Sequence, residues 1–398
     1  MTADQHVRAR NQNPGSQSAL RVLNEQRVLA TLRTQGTLTQ AALARATGLS
    51  TATISNIVKS LASTGRVATS PTTSSGRRAL GVTVLDEADV AVGIDFGRSH
   101  VRVVLAQAGF RLLDEEFAAL EVGHRVAASI DVAARMLESL CERTGTSRSQ
   151  LIGAGIGIPG PIDHRTNMVI RGAILPDWVD LDIDARLRRA LDLPVFIDND
   201  SNLGALAQIT WGEHQECADL CFLKIGSGIG TGLILNGSLY YGNLGVTGEI
   251  GHSTIFDQGL ICRCGNRGCL ETVASTGIMV ELLSRTESAP VSIKSIIEQA
   301  KAGDSATLRV IDDVGVAVGH ALANVANLIN PEVIVLGGPL APLGEILLAP
   351  IRRGLVRHAI PVVGENTTLC MSLLGDRAEA LGAAALVLRQ SAALPKPD

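Results

Sequence analysis

Apolar residues recur at three- to four-residue intervals through LRVLNEQRVLATLRTQG, a spacing that predicts a helix broken at Gly36. Thr39 then stands as the N-cap of a short helix, TQAALARATG, which stops at Gly48. Ser50 caps a third, STATISNIVKSLASTG, which stops at Gly65. Two short helices joined through a glycine-containing turn predict a helix-turn-helix. In the third helix Ile54, Ile57, Val58 and Leu61 fall on one stripe, leaving Thr51, Ala52, Thr53, Ser55, Asn56 and Lys59 on the opposite face. The following RVATSPTTSSGRRALGVTVL reads as two strands around a Ser/Thr/Gly tip that carries Arg77 and Arg78, a basic wing. From Val90 the pattern changes to β-rich runs, VAVGIDFG, HVRVVLAQ, LIGAGIGIPG, PVFIDND, LCFLKIGSG and EVIVLGG, separated by helical segments. That alternation predicts an α/β body.

Charge sharpens the division. Residues 1–85 hold ten Arg or Lys against two acids, and the rest of the 398-residue chain holds twenty-five against thirty-seven. A basic head on an acidic body suggests a polyanion as the partner of the head. Small polar side chains on the third helix suit a major groove, because they reach base edges and phosphates without blocking the helix's approach. The DNA-facing set is therefore expected to be Thr39, Gln40, Ser50, Thr51, Thr53, Ser55, Asn56 and Lys59, with Arg77 and Arg78 of the wing on the phosphate backbone or minor groove. A three-helix packing module without DNA is the alternative. The chain is 46% hydrophobic, enough for a sizeable core, yet holds no run of eighteen apolar residues and no apolar segment behind its polar N-terminus. No membrane span or secretory signal is expected, and a cytoplasmic location follows.

The strongest chemical signal lies in GEIGHSTIFDQGLICRCGNRGCLETVAS. His252 is followed by Cys262, Cys264 and Cys269, the cysteines in a knuckle whose Gly265 and Gly268 allow three thiolates to converge. One His and three Cys make a closed, structural zinc site with no open position for chemistry. Disulfides are the alternative, disfavoured by the short Cys262–Cys264 spacing and by the absence of any sign of an oxidising compartment. Cys141, Cys217, Cys221 and Cys370 read as small buried hydrophobes. Three strands end in glycine-rich turns, which expose N–H groups to anionic oxygens. The fullest of these is KIGSGIGTGLILNG.

Taken together, GIPGPID (Gly157–Asp163), DNDSN (Asp198–Asn202), IGSGIGTG, GEIGH, CRCGNRGC followed by LE, and LGGPL (Leu336–Leu340) resemble, in that order, the ROK family. This is the group of sugar kinases and sugar-responsive repressors built on the actin-like ATPase (ribonuclease H-like) fold, and the resemblance spans essentially the whole chain. A winged helix ahead of the body is the arrangement of the family's transcriptional regulators. The resemblance implies sugar contacts from Gly160, Asn199, Asp200, Glu249, His252 and Glu271, with Asp200 matching the kinases' catalytic base and His252 serving both zinc and sugar. Taken from sequence alone, Asp200 could instead cap the helix that follows it. The nucleotide-phosphate loops would use Asp95, Gly97, Ser99, Gly226, Ser227, Gly228, Gly230, Gly337 and Gly338, with ATP and magnesium as cofactors only if the body is an active kinase.

One departure weighs against activity. Where the kinases carry Asp, Gly, Gly, Thr on the first hairpin, this chain reads Asp95, Phe96, Gly97, Arg98, Ser99, His100. An arginine at a phosphate-approach glycine either crowds the nucleotide or holds an anion by its own charge, and phosphoryl transfer depends on positioning. The expected architecture is a tail at 1–19, a winged helix-turn-helix at 20–85, lobe one at 88–200 completed by a C-terminal helix at 378–392, and lobe two at 201–377 with the zinc knuckle. The C-terminal ALPKPD is a second expected tail, and no repeat at a fixed period is visible. The expected function is a repressor sensing a sugar or sugar phosphate, binding operator DNA as a homodimer or homotetramer. The alternatives are an active ATP-dependent hexose kinase that also binds DNA, and a structural adaptor with an empty cleft.

Overall fold

A computed structural model of the chain describes residues 17–74, 77–85, 89–170, 175–179, 181–285 and 290–390. Among the described residues the chain divides into a small unit, residues up to 85 together with Arg389 and Gln390, and a large unit, residues 89–388. In the small unit α1 (Gln17–Gln35) is followed by a two-residue strand β1 (Leu38–Thr39), α2 (Gln40–Thr47), α3 (Thr51–Ser63) and a hairpin of β2 (Val67–Ser74) and β3 (Arg77–Val84). The expected N-terminal tail is shortened, since Gln17, Ser18 and Ala19 are already helical. The rest of that tail and ALPKPD lie outside the described residues.

The helix limits have local causes. Gly36 leaves α1 in the left-handed region at φ +73°, donating its N–H to Leu32 O at 2.9 Å. Thr39 Oγ1 accepts from Ala42 N at 3.2 Å, and Ser50 Oγ from Thr53 N at 3.1 Å, so each caps the helix predicted for it. Val28, Leu29, Leu32, Leu43, Ile54, Ile57, Val58, Leu61, Val67 and Val82 form one core, each side chain contributing roughly 1.5–3 kcal/mol on burial. The sheet runs β1-β3-β2, with Val67 opposite Val84 and Ser74 opposite Arg77. The wing's turn and the side chains of Arg77 and Arg78 lie outside the described residues.

The large unit holds two five-stranded sheets. The first comprises β4 (Val90–Gly97), β5 (His100–Gln107), β6 (Arg111–Ala119), β7 (Leu151–Ile158) and, beyond the short hairpin β8 (Ile162–Asp163) and β9 (Met168–Val169), β10 (Val195–Asn199). Helices α4 (Val126–Thr144) and α5 (Ile183–Leu191) belong to this lobe, and α6 (Asp200–Gln208) leaves its last strand. The second sheet comprises β11 (Leu220–Ile225), β12 (Ile229–Leu235), β13 (Ser238–Leu239), β14 (Val333–Gly337) and β15 (Thr368–Met371). Between β13 and β14 run α7 (Glu271–Ala274), α8 (Thr276–Ser284), α9 (Ile293–Ala302) and α10 (Ser305–Ile329); α11 (Glu345–His358) and α12 (Pro361–Asn366) precede β15.

The spatial orders are β10-β7-β4-β5-β6 and β13-β12-β11-β14-β15. Numbered within each sheet, both run third, second, first, fourth, fifth, with the first three strands antiparallel and the last two parallel. One wiring is thus used twice, although no sequence period announces it. Each sheet has its own apolar core. Among the described residues no helix is long and apolar enough to cross a membrane.

The last helix, α13 (Ala378–Gln390), lies on the first sheet rather than the second. A Cβ on Gly93 of β4 would stand 2.0 Å from Ala380 O, and one on Gly155 of β7 would stand 2.0 Å from Ala383 O. Both strands therefore need glycine where the helix crosses them. Gly155→Ala is expected to cost the large unit about 1–3 kcal/mol or more by overpacking. Gly277→Ala, whose Cβ would meet nothing nearer than Ser275 Oγ at 4.0 Å, should leave the thermal midpoint in place or raise it; equal midpoints for the two variants would refute the crossing.

Candidate functional site

In the small unit the outward face of α3 presents Thr51, Asn56 and Lys59 exposed, with Thr53 and Ser55 half-buried beside them. Three of the expected DNA-facing residues are already engaged. Thr39 and Ser50 cap α2 and α3, and the Thr53 hydroxyl lies 2.8 Å from Ser50 Oγ. Gln40 is half-buried at the start of α2. A feature the sequence did not announce fixes α3 against α1: Ser60 Oγ donates to Glu25 Oε1 at 3.2 Å, and Arg21 donates to both Glu25 and Ser60. Lys59→Ala is expected to weaken duplex binding uniformly and lower the salt slope by about one. Asn56→Ala should cost about 1–3 kcal/mol at one base position. Titration against matched and mismatched duplexes at two salt concentrations separates these outcomes.

The large unit holds a cavity of about 540 Å³. Its wall includes Gly160, Asn199, Asp200, Glu249, His252 and Glu271, so the six expected sugar residues face one space. Asn199 ends β10 in register with Ile158, and its Oδ1 accepts from Ser201 N at 2.8 Å and Asn202 N at 3.4 Å. The cap of α6 is therefore Asn199, which leaves Asp200 on the helix's first turn. Asn199 Nδ2 donates to Gly160 O at 2.8 Å, tying the GIPGP turn to the DND turn. Beneath them the buried Asp198 carboxylate accepts from Asn202 Nδ2 at 2.9 Å and from the Tyr241 hydroxyl at 2.7 Å, and lies 3.2 Å from His164 Nε2. Asp198 raises the His164 imidazole above its ordinary pKa. Burial, joined by the same carboxylate, raises the Tyr241 phenol.

Two further carboxyls complete this end. Glu249 is pushed up to about 7, first by burial and then by the charges of Asp200 and Glu271. Glu271 is also raised by burial, against the pull of Arg263, whose Nη2 donates to Glu271 Oε2 at 2.7 Å. Arg263 sits in the chain between Cys262 and Cys264 and was not singled out by sequence reading; only its place inside the knuckle hinted at it.

The knuckle gathers the four expected ligands. The ligand atoms of His252, Cys262, Cys264 and Cys269 all lie within 4.8 Å of one another. Cys262 Sγ is 3.6 Å from His252 Nδ1, and Cys264 Sγ is 3.7 Å from Cys269 Sγ. Those edges match a tetrahedron with metal–sulfur bonds of about 2.3 Å. All seven cysteines are free, so the disulfide alternative is not realised. His252 turns its other nitrogen, Nε2, toward Glu249 Oε2 at 3.7 Å, which places the ring between the knuckle and the cavity. Outside the knuckle Cys141 and Cys221 are buried as expected, whereas Cys217 and Cys370 are half-buried, with Cys370 Sγ 3.5 Å from His214 Nε2.

At the other end Asp95, Gly97, Ser99, Gly226, Ser227, Gly228, Gly230 and Gly338 line the cavity, together with exposed Arg98. Gly337 does not: a Cβ there would meet the Phe222 ring at 2.3 Å, on the packed side of β14. His100 lies over the first turn, since a Cβ on Gly97 would stand 2.0 Å from its Cε1, and its Nε2 is 2.9 Å from Asp95 Oδ2. Lys224 Nζ donates to Asp200 Oδ2 at 2.9 Å and lies 3.0 Å from Glu379 Oε1. Burial works against the ammonium, but Asp200, Glu379 and Asp95 outweigh it and raise Lys224 well above its ordinary pKa. Burial also works to raise Asp95, yet Lys224, His100 and Arg102 bring it below the usual carboxylate value. Lys224, Glu379 and His100 are the residues sequence reasoning missed at this end.

The ROK family profile matches residues 91–390, and that of the MarR family matches residues 23–78. The xylose repressor of Bacillus spizizenii is 30% identical over 374 residues, covering 94% of this chain and 96% of that protein. The glucokinase of Halalkalibacterium halodurans is 34% identical over 265 residues, covering 63% of this chain and 80% of that enzyme. Among solved structures, a ROK family transcriptional regulator described as a homolog of the E. coli MLC protein superposes with a TM-score of 0.69 at 26% identity, covering 94% of this chain and 96% of its own.

Proposed function

The chain belongs to the ROK family, and from that premise we propose that it is a sugar-responsive, DNA-binding transcriptional repressor. The observation that carries the reading is the pairing, in one chain, of a winged-helix unit whose α3 leaves Thr51, Asn56 and Lys59 exposed with a cleft that gathers Asn199, Asp200, Glu249, His252 and Glu271. Hydroxyl-rich ligands suit such a wall, which offers carboxylate acceptors, an amide and an imidazole within one cavity. In this reading residues 20–85 are the DNA-binding domain, 88–200 with 378–392 the first lobe, and 201–377 the second.

His252, Cys262, Cys264 and Cys269 would hold a structural zinc ion, which supplies a fixed tetrahedral anchor when bound. The protein side of that arrangement acts on the sugar. With Cys262 and Cys264 fixed, Arg263 is held where it grips Glu271, and with His252 Nδ1 engaged, Nε2 is left facing the cavity. Asn199 is aimed by its own helix cap and by Gly160 O, so its orientation does not depend on ligand.

Sugar occupancy would shift the large unit between conformations with different operator affinity. Such coupling is reciprocal: a ligand that weakens operator binding is itself weakened by operator to the same factor, typically about 5- to 150-fold. The working form would be a cytoplasmic homodimer or homotetramer, and kinase activity would be lost, as the Arg98 turn and the His100 ring over Gly97 favour. The test is titration of duplexes selected by the protein from a randomised pool, with and without a sugar panel. The panel begins with xylose and glucose and includes their phosphates. A ligand that shifts operator affinity, without ATP turnover in a coupled assay, is the expected result. Turnover abolished by Asp200→Asn, or indifference of operator binding to every sugar, would reverse the reading.

A further inference from the structure

Three carboxylates from three elements meet at the phosphate end of the cleft: Asp95 on β4, Asp200 at the start of α6 and Glu379 on α13. Their side chains are 2%, 9% and 5% exposed. A phosphoryl-transfer site would use such a group to hold a divalent cation, which demands oxygen ligands at about 2.0–2.1 Å in near-octahedral array. Here the convergence point is taken. Lys224 reaches it from β11 and places its ammonium 2.9 Å from Asp200 Oδ2 and 3.0 Å from Glu379 Oε1.

We propose that Lys224 is a built-in counter-cation that stands where a divalent metal would bind, so that the cleft receives its ligand without metal and without a metal-bound nucleotide. The inference rests on the sensor reading above and deepens it by naming what excludes the nucleotide. The residues do not fit magnesium for two reasons. An ammonium and a divalent ion cannot share the same oxygens, because like charges at that separation in a buried site repel strongly. The Lys224 side chain is itself only 15% exposed, and leaving the cluster would strand buried carboxylates.

The arrangement also disarms Asp200. Its Oδ2 is bound by Lys224, and its Oδ1 accepts from Ser201 N at 2.8 Å and Ser201 Oγ at 3.3 Å. A carboxylate satisfied on both oxygens serves as a fixed acceptor for a sugar hydroxyl more readily than as a base that takes its proton. Lys224 pairs with Asp200 and Glu379, whereas Asp95 turns Oδ2 to His100 and leaves Oδ1 without a hydrogen-bond partner among the described residues. Appetite for a cation therefore remains, and removing Lys224 should uncover it.

The experiment is a manganese titration of the full-length, zinc-loaded protein followed by electron paramagnetic resonance. Wild type is expected to leave the free Mn²⁺ signal undiminished. Lys224→Met is expected to bind one ion per chain at least about tenfold more tightly than wild type, and adding Asp95→Asn should abolish that binding. Stoichiometric binding to wild type that Asp95→Asn removes would overturn the proposal. A folded Lys224→Met protein that gains no manganese would do the same. Should that variant fail to fold, Lys224→Met with Glu379→Gln restores the net charge and is scored identically, with the wild-type arm standing by itself. Operator titration on the same wild-type sample separates the two ideas. Manganese on wild type with sugar-responsive operator binding sinks only this proposal, whereas operator binding indifferent to sugar sinks the sensor reading.

Discussion

Cys264→Ser lowers affinity for the sugar effector by about 100-fold or more and leaves duplex binding by the winged helix intact: this is the largest expected functional effect. Cys264 is the exposed member of the four-ligand cluster, so the exchange perturbs no apolar packing and isolates the loss of a thiolate. A hundredfold is about 2.8 kcal/mol. That is a modest share of the roughly 10–16 kcal/mol associated with structural zinc in small domains. The path of the effect is short. Loosening the knuckle frees Arg263 from Glu271 and unfixes the His252 ring beside Glu249, so two acceptors of the proposed sugar wall lose their orientation together. The winged helix has its own core and should not notice. Elemental analysis should give one zinc per wild-type chain, and calorimetry should show the fall in sugar affinity. Metal-free pure protein, or a variant with wild-type affinity, would remove the basis of the proposed site.

Lys224→Met is expected to be the most destabilising single exchange in the cleft, by about 3–5 kcal/mol at neutral pH, the scale of a broken buried ion pair. It leaves Asp95, Asp200 and Glu379 facing one another without the ammonium that now offsets them. The pH dependence has a definite sign. Burial already raises Glu379 above its ordinary pKa while Lys224 pulls it down, so losing Lys224 raises it further. A carboxyl whose pKa is higher folded than unfolded binds more protons in the native state, so its contribution to stability falls as pH rises through the folded value. The deficit of the variant against wild type should therefore be widest at neutral pH and shrink on mild acidification. In wild type Asp95 behaves oppositely: its pKa is depressed, so the stability it lends is present above the ordinary carboxylate value and fades as pH falls through the folded one. Denaturant melts across that range decide the matter, and a deficit independent of pH would contradict the charge argument.

The parts legible from sequence were those whose signal is local. Thr39, Ser50, Gly36 and Gly48 mark helix limits within a few residues of the bonds they make, and the inward stripe of α3 follows helical spacing alone. The His252, Cys262, Cys264 and Cys269 cluster was legible because three of its four members share one knuckle. The opposite end of the cleft was less so, for geometric reasons. Lys224, Asp95 and Glu379 come from distant parts of the chain, and no spacing rule brings them together. The alternative reading of Asp200 as a helix cap misses by one residue, because β10 runs through Asn199 and hands it the capping position. Gly337 and Gly338 differ for a related reason: Gly337 is the last residue of β14 and packs on Phe222, whereas Gly338 lies just beyond the strand at φ +96° and lines the cavity. The doubled wiring of the two sheets escaped detection because topology is kept by strand order, which leaves no periodic trace in residue identity.

The helix that covers Gly93 and Gly155 is supplied by the last described stretch of the chain, Ala378–Gln390. On a ribosome, where domains otherwise begin folding from the N-terminal side, β4 and β7 emerge early but stay bare on that face until Ala380 and Ala383 have been translated. The first lobe to be made is the last to be finished. A premature stop before Ala378 would thus strike hardest at the opening third of the body, far upstream of the lesion, and expose one face of its sheet to chaperones and proteases rather than yield a shortened but working protein.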